Sequence, residues 1–479
     1  MRGRRSVAAI LLGALLCSPA LAWDAANAVN AALQDPLLAR PPVLDTGPVL
    51  PGDASPPPCP GGAGAVAGPL SLAQAVDLAL CHNPQVQGAW AAIKVQAAAL
   101  GKARAAYLPT VSAGVSRMDD RTRYPGYPGA DTDVQADTLY GTVSWRLFDF
   151  GERAANRHAA SALLEAALAN HDAVLQKTLA GVIQAYFDAQ TSQAAWAARQ
   201  TDEALARQTL EAAQRRERGG AGAQSDTLQA TTALAKATLD RSRAHGAYRK
   251  AMAVLVNVMG LPAEMQPTLA EDLAEPADNL RQDLDAWLEQ AEARHLAIEA
   301  ARAQLAAARA KVAATEAEGL PTVDLTGSYY QNGRPNQTLA AIQTHETLVG
   351  VTVTIPLFDG FARTYEVRGA QAQVEQKEAE LRDTEGQVTM EVVKAHADAL
   401  AALDDLQASQ QLLQAAQAAL QSVQRKFDKG AADILEILST QAALADAQQE
   451  RIRDRAEWRS ARLRLLADTG VLGRSGLAQ

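Results

Sequence analysis

The sequence is written twice. From Leu70 onward its landmarks return in the same order, at an offset of about 210 residues, far longer than a solenoid unit. Leu108-Pro109-Thr110-Val111 returns as Leu320-Pro321-Thr322-Val323, and Arg146-Leu147-Phe148-Asp149 as Pro356-Leu357-Phe358-Asp359. Gly220 and Asp226 return as Gly430 and Glu436, and Gly260-Leu261 as Gly470-Val471. The 479 residues therefore read as a duplication and not as three unrelated domains. The repeats span residues 70–262 and 280–472, joined by a linker at 263–279 and followed by a short tail at 473–479.

Each repeat carries the same succession of signals. A helical stretch comes first, Leu72 to Ala106 and Leu284 to Glu318. Pro109 and Pro321 then stop the helix, because the residue before a proline is driven toward extended backbone. Two short strands follow, at about 109–118 and 137–148 in the first repeat and about 321–331 and 346–357 in the second. In each, apolar residues alternate with polar ones, as in Val349, Val351, Val353 and Ile355 against Gly350, Thr352 and Thr354. That period of two gives one apolar face and one polar face. The segments between the paired strands, Thr122 to Ala136 and Asn332 to Thr344, are polar and rich in turn-forming residues.

A long helical run then extends from Glu152 to Arg218, and again from Ala362 to Lys429. Leu406, Leu413, Leu420 and Phe427 repeat every seven residues, and Leu164, Leu168, Leu175, Leu179, Val182 and Tyr186 alternate by threes and fours. These are coiled-coil seams. A helix of this length rises about 100 Å. Gly219-Gly220 and Gly430 break the runs, so that second helices at Ser225 to Met259 and Ile434 to Ala467 fold back as hairpins. Roughly a fifth of the residues are Ala, the best helix former, while 4% are aromatic. Such a composition suits close-packed helices better than a thick core.

The amino end has the form of a secretory signal peptide over residues 1–22. Arg2, Arg4 and Arg5 precede an apolar Val7–Leu16 run, and Ala20-Leu21-Ala22 forms a cleavage site. Residues 23–69 are a Pro/Gly-rich tail that cannot fill a core. No later apolar run reaches the ~18 residues of a membrane helix. The strands, at ~10 residues each, have the length of tilted strands that cross a bilayer. Trp145, Phe148, Phe150, Phe358 and Phe361 gather where strand gives way to helix, as an interfacial aromatic belt does. Four strands cannot close a barrel, whose smallest bacterial form has about eight. Two, three or four chains must share one.

The chemistry excluded is broad. The formal charge of −9 offers no basic face for nucleic acid. No nucleophile elbow, zinc-protease helix or phosphate loop is present, and the seven His are scattered, so we expect no enzyme and no cofactor. Cys59 and Cys81 remain after signal cleavage and can either pair or stay as free thiols.

The duplicated unit, L-P before the first strand, L-F-D after the second and the glycine-broken hairpins resemble the TolC-type outer-membrane efflux proteins, over about residues 70–473. The resemblance implies a mainly α fold with a small β part: three chains sharing a 12-stranded outer-membrane barrel, continued by a periplasmic cylinder of coiled-coil helices. It implies a homotrimer in outer-membrane lipid that partners a periplasmic membrane-fusion adaptor and an inner-membrane ABC transporter. Within the family the sequence is most similar to type I secretion components that export RTX toxins, so the expected cargo is a polypeptide. Drug or metal efflux by the same fold is one alternative. A soluble periplasmic coiled-coil scaffold is another.

In TolC itself, which gives the family its name, the helical turn reads roughly aromatic-x-x-G-x-R-x-x-x-D-x-x-D. Here Phe427 takes the aromatic place, Ala432 the Arg and Glu436 the first Asp of the entrance rings, while Ser439 stands at the second Asp. Asp433 lies beside them, and Asp226, at the equivalent turn of the first repeat, matches the acidic partner of the closing network. One acidic ring is expected through Glu436; the full ionic lock is not.

Overall fold

A computed structural model describes residues 35–41, 68–127, 131–270, 283–331, 344–429 and 431–470. The signal peptide, most of the tail, Cys59, Gly430 and most of the second inter-strand segment lie outside the described residues. The chain forms two units. One contains Ile93–Glu165 and Ala303–Glu378 together with Met1–Leu44; the other contains Asp45–Ala92, Ala166–Arg302 and Ala379–Gln479.

The first unit holds the sheet. Strands β1 (Thr110–Thr122), β2 (Thr132–Phe148), β3 (Thr322–Gln331) and β4 (His345–Thr354) pair antiparallel in sequence order. β1 and β3 begin at the residue after Pro109 and Pro321. The apolar face is bare: Val111 and Val115 are 75% and 77% exposed, and Val349 on β4 is 77% exposed. On the polar face Ser112 and Thr142 hydroxyls meet at 2.6 Å, and Arg146 donates to Asp324 at 3.1 Å across β2 and β3.

The first hairpin is longer than its apolar pattern predicts. β1 continues beyond residue 118 to Thr122, and β2 starts at Thr132 instead of 137. Arg121 opposite Asp133, at an N–O separation of 3.6 Å, lies in the extension, and Arg117 opposite Asp137, at 3.8 Å, stands just before it. Opposite charges facing each other across a ladder replace apolar pairs. β4 conversely stops at Thr354, short of 357, because Pro356 has no N–H to extend the pairing.

Each helical stretch that opens a repeat is two helices and not one: α1 (Leu72–His82) and α2 (Pro84–Ala105), then, in the second repeat, two helices at Leu284–Arg294 and Leu296–Ala317. The breaks are single extended residues, Asn83 and His295, with ψ of 124° and 121°. Pro84 explains the first break. The second has no proline; the His295 ring accepts from the Ala297 N–H at 3.3 Å. Both breaks receive a glycine. A Cβ on Gly260 would meet the His82 carbonyl oxygen at 2.5 Å, and one on Gly470 the Arg294 oxygen at 3.0 Å. This contact accounts for the repeated glycines at these positions, which also adopt φ of 70° and 71°.

The long helices are α3 (Glu152–Arg218), α4 (Gln224–Val258), the second-repeat pair α5 (Leu284–Arg294) and α6 (Leu296–Ala317) having preceded α7 (Ala362–Asp428) and α8 (Ile434–Asp468). In the second unit the seam residues Leu175, Leu179, Val182 and Tyr186 of α3 are buried with Val76 and Leu80 of α1 and Leu255 of α4. The Tyr186 hydroxyl donates to the Leu70 carbonyl at 3.1 Å, which satisfies its polar end. A second cluster joins Trp287, Val392, Ala395, Ala399, Trp458 and Leu465. Cys81 on α1 is disulfide-bonded.

At the end of α8, burial and the nearby Glu391 carboxylate push Asp468 up from 3.8 to about 6, against the pull of Arg464. Between those two values the folded chain holds more protons than the unfolded one. Stability from this group is therefore greatest at low pH and is lost as pH rises through about 6. Asp468→Asn should flatten that dependence: between pH 7 and pH 5, melting of the helical signal should rise more in the unmodified protein than in the variant. Parallel profiles would refute this.

Candidate functional site at the hairpin tips

Both hairpins turn by the same backbone device. At the end of α3 the Gly220 N–H bonds the Glu217 carbonyl at 3.0 Å and the Ala221 N–H bonds the Arg216 carbonyl at 2.9 Å. This is a Schellman closure, and Gly220 supplies its left-handed residue with φ 72°. At the end of α7 the Ala431 N–H bonds the Lys426 carbonyl at 2.8 Å, the equivalent pair under the duplication.

The next helices start differently. Asp433 caps α8, its carboxylate accepting from the Glu436 N–H at 2.7 Å. The equivalent Ala223 before α4 makes no side-chain cap; Asp226 sits in that first turn, its carboxylate 3.4 Å from the Ser225 hydroxyl. The acidic residues of both turns lie at helix N-termini, where the backbone dipoles favour negative charge.

Between the two tips lies an apolar cluster: Ala213, Ala230, Val423, Phe427, Ala432, Ile434 and Ile437. Phe427 is its largest member and is buried. The Arg216 guanidinium, from the other hairpin, covers the ring at 4.9 Å from its centroid. Further from the turn the hairpins meet again where Gln441 donates to the Thr209 hydroxyl at 2.8 Å. The Ala432 side chain belongs to this packing. The two hairpins are thus held by apolar contact and a cation over an aromatic face.

Glu436 is half-buried and stands 3.7 Å from Lys426 of its own hairpin. Ser439 does not present a free hydroxyl: it donates to the Glu436 carbonyl at 3.0 Å. Of the residues singled out in the sequence, the structure brings Phe427, Asp433, Glu436 and Ser439 to one turn, with Asp226 and Gly220 on the neighbouring turn. It adds Arg216 and Lys426, which the sequence reading passed over. A signal for them existed, since they are equivalent positions, both basic, at the last turn of equivalent helices.

Below the tip Glu203 is buried and shared by Arg207, Arg241 and Thr238. Asp202 nearby is pushed up by burial and by Asp240 and Asp446, while Arg199 opposes the shift.

The chain matches the family described as Outer membrane efflux protein over residues 75–261 and 287–471, one match to each repeat. It belongs to that family. Protein CyaE of Bordetella pertussis is 38% identical over 435 residues, covering 90% of this chain and 91% of its own. The proteases secretion protein PrtF of Dickeya chrysanthemi is 23% identical over 263 residues, 54% of this chain and 57% of its own. Among solved structures, the Campylobacter jejuni CmeC outer membrane channel superposes with a TM-score of 0.73 at 16% identity, covering 84% of this chain and 86% of CmeC. The family gives the bare face of the sheet its solvent: the strands sit in the outer membrane and the helices in the periplasm. The protein is an outer-membrane exit duct.

The turn itself can be tested. Nothing stands within 4 Å of where a Cβ on Gly220 would lie. Gly220→Ala should therefore cost only the backbone strain of a positive φ, about 1 kcal/mol. Faster proteolysis at residues 217–224, with the rest of the chain as resistant as before, is the expected reading; unchanged cleavage would count against the closure.

Proposed function

We propose that this duct serves type I secretion: a homotrimer that passes a polypeptide, of the RTX-toxin class, across the outer membrane. It works with an inner-membrane ABC transporter, which supplies the energy, and a periplasmic adaptor that engages the hairpin tips. The chain itself does no covalent chemistry and needs no cofactor. The observation that carries the reading is the family match across both repeats, together with relatives that include a protein named for protease secretion.

The tip supports a passive gate. Its hairpins are joined by the Phe427 cluster and the Arg216 contact, and by few charges. An adaptor that offers equivalent apolar contacts can exchange for them and shift the tip toward an open form. Around a threefold axis Glu436 becomes three carboxylates at the entrance, helped by Asp433, which repel one another and attract cations. Lys426 tempers that charge, but a solvent-accessible pair at 3.7 Å is worth little. We also assign Cys59 as the partner of Cys81, which fastens the tail to α1.

Two measurements test this. Glu436→Ala in channels reconstituted into planar bilayers should change basal conductance and relieve block by divalent cations. Identical traces would remove Glu436 from the pore. Deletion of the protein should abolish a large polypeptide from the culture supernatant and leave drug sensitivity as it was; the opposite pattern would make it a drug efflux duct.

A further inference from the structure

The two strand-to-helix joints follow one plan, yet one is filled and the other is open. In the first, the Tyr107 ring lies against Arg153 and Arg157, whose guanidinium carbons are 4.8 and 5.6 Å from its centroid. Arg153 also donates to the carbonyls of Arg146 and Leu147. Under the duplication Gly319 stands where Tyr107 is, Arg363 where Arg153 is, and Val367 where Arg157 is. The ring is therefore missing from the second joint. Arg363 lies across the vacated place: a Cβ on Gly319 would meet its Cδ at 2.6 Å. Beside it remains a cavity of about 510 Å³, walled by Gly319, Pro356, Leu357, Phe358, Arg363 and Arg368.

The wall has two chemistries. Leu357 and Phe358 are 91% and 76% exposed. Arg363 is partly neutralised by Asp359, 3.5 Å away, and donates to the Thr315 carbonyl at 3.3 Å. Arg368 has no carboxylate partner among the described residues; its guanidinium carbon is 5.7 Å from the Tyr365 ring centroid. Two cations against one carboxylate leave one positive charge over, next to an apolar surface. That combination matches an amphiphile with a single negative charge. Guanidinium groups also fit the oxygens of a phosphodiester better than an ammonium does. The cavity opens at the carboxyl end of β4, where the membrane-embedded strands give way to periplasmic helix. At that level a bilayer presents its headgroups.

We propose that this cavity is a lipid site, which takes the phosphodiester head of an anionic glycerophospholipid from the periplasmic leaflet of the outer membrane. Arg368 and the outer edge of Arg363 face the phosphate, and Leu357 and Phe358 receive the first acyl carbons. At the first joint the Tyr107 ring occupies the equivalent place. The proposal rests on the membrane placement of the sheet and is independent of cargo and gate.

The test uses the full chain, purified as its assembly in a non-ionic detergent, with dioleoyl phosphatidylglycerol as probe and native mass spectrometry as readout. The unmodified protein should retain the lipid. Arg368→Gln should lower retention about fivefold, the effect of one basic residue at an anionic headgroup. Arg157→Gln, at the filled joint, should leave retention unchanged, and size-exclusion profiles of both variants should match the parent. Equal retention by Arg368→Gln and the parent would overturn the site. So would displacement of the lipid by an equal concentration of inorganic phosphate, which would mark a soluble-anion pocket. A Leu357→Cys variant should react with a lipid-soluble maleimide in the assembly. If it does not, a second copy covers the cavity and the lipid assignment is wrong.

Discussion

A four-stranded antiparallel sheet with one bare apolar face cannot exist alone in either water or lipid. In water it exposes Val111, Val115 and Val349. In lipid its edges, β1 and β4, carry backbone N–H and C=O groups that no solvent would satisfy, at a cost of several kcal/mol each. Only closure with strands from other copies removes both penalties. The rest of the molecule follows from that constraint. The strands need a joint that ends the ladder on the membrane boundary, and the helices beyond it must continue as a wall and not fill a core.

The joint is a small chemical device used twice. In the first repeat the Asp149 carboxylate accepts from the N–H groups of Gly151 and Arg153, and in the second Asp359 accepts from Arg363. In the second repeat Asp359 lies five residues after the strand end at Thr354; in the first the strand ends at Phe148, next to the carboxylate that caps the helix. Phe150 and Phe361, just after it, sit at φ of 50° and 70°, conformations uncommon outside glycine. The repeated L-F-D is thus a structural instruction. Its two copies diverge where the surroundings diverge: Arg146 reaches Asp324 in the first, while Pro356 replaces that Arg in the second.

At the far end the same duplication yields two turns with one backbone closure and different side chains. The structure shows what holds the hairpins together. Ala432 and Phe427 pack into a common apolar cluster, and Arg216 contributes its charge to a ring face instead of a carboxylate. Such contacts depend less on salt than ion pairs do.

The amino-acid sequence specifies the duplication, the class of each element, the long helices from Glu152 and Ala362, and the turn that gathers Phe427, Asp433, Glu436 and Ser439. These are local properties: periodicity, proline and glycine punctuation, and repetition are written in consecutive residues. It missed the extension of the first hairpin, where paired charges and not apolar residues carry the ladder. It also missed the one-residue breaks at Asn83, which Pro84 marks, and at His295, which no proline marks; Gly260 and Gly470 pack against them. The contacts that Arg216, Gln441 and Thr209 make, and the cavity left by Gly319 opposite Arg363, come from the packing of the folded chain. They depend on distances between side chains far apart in the chain, and no periodicity encodes a distance.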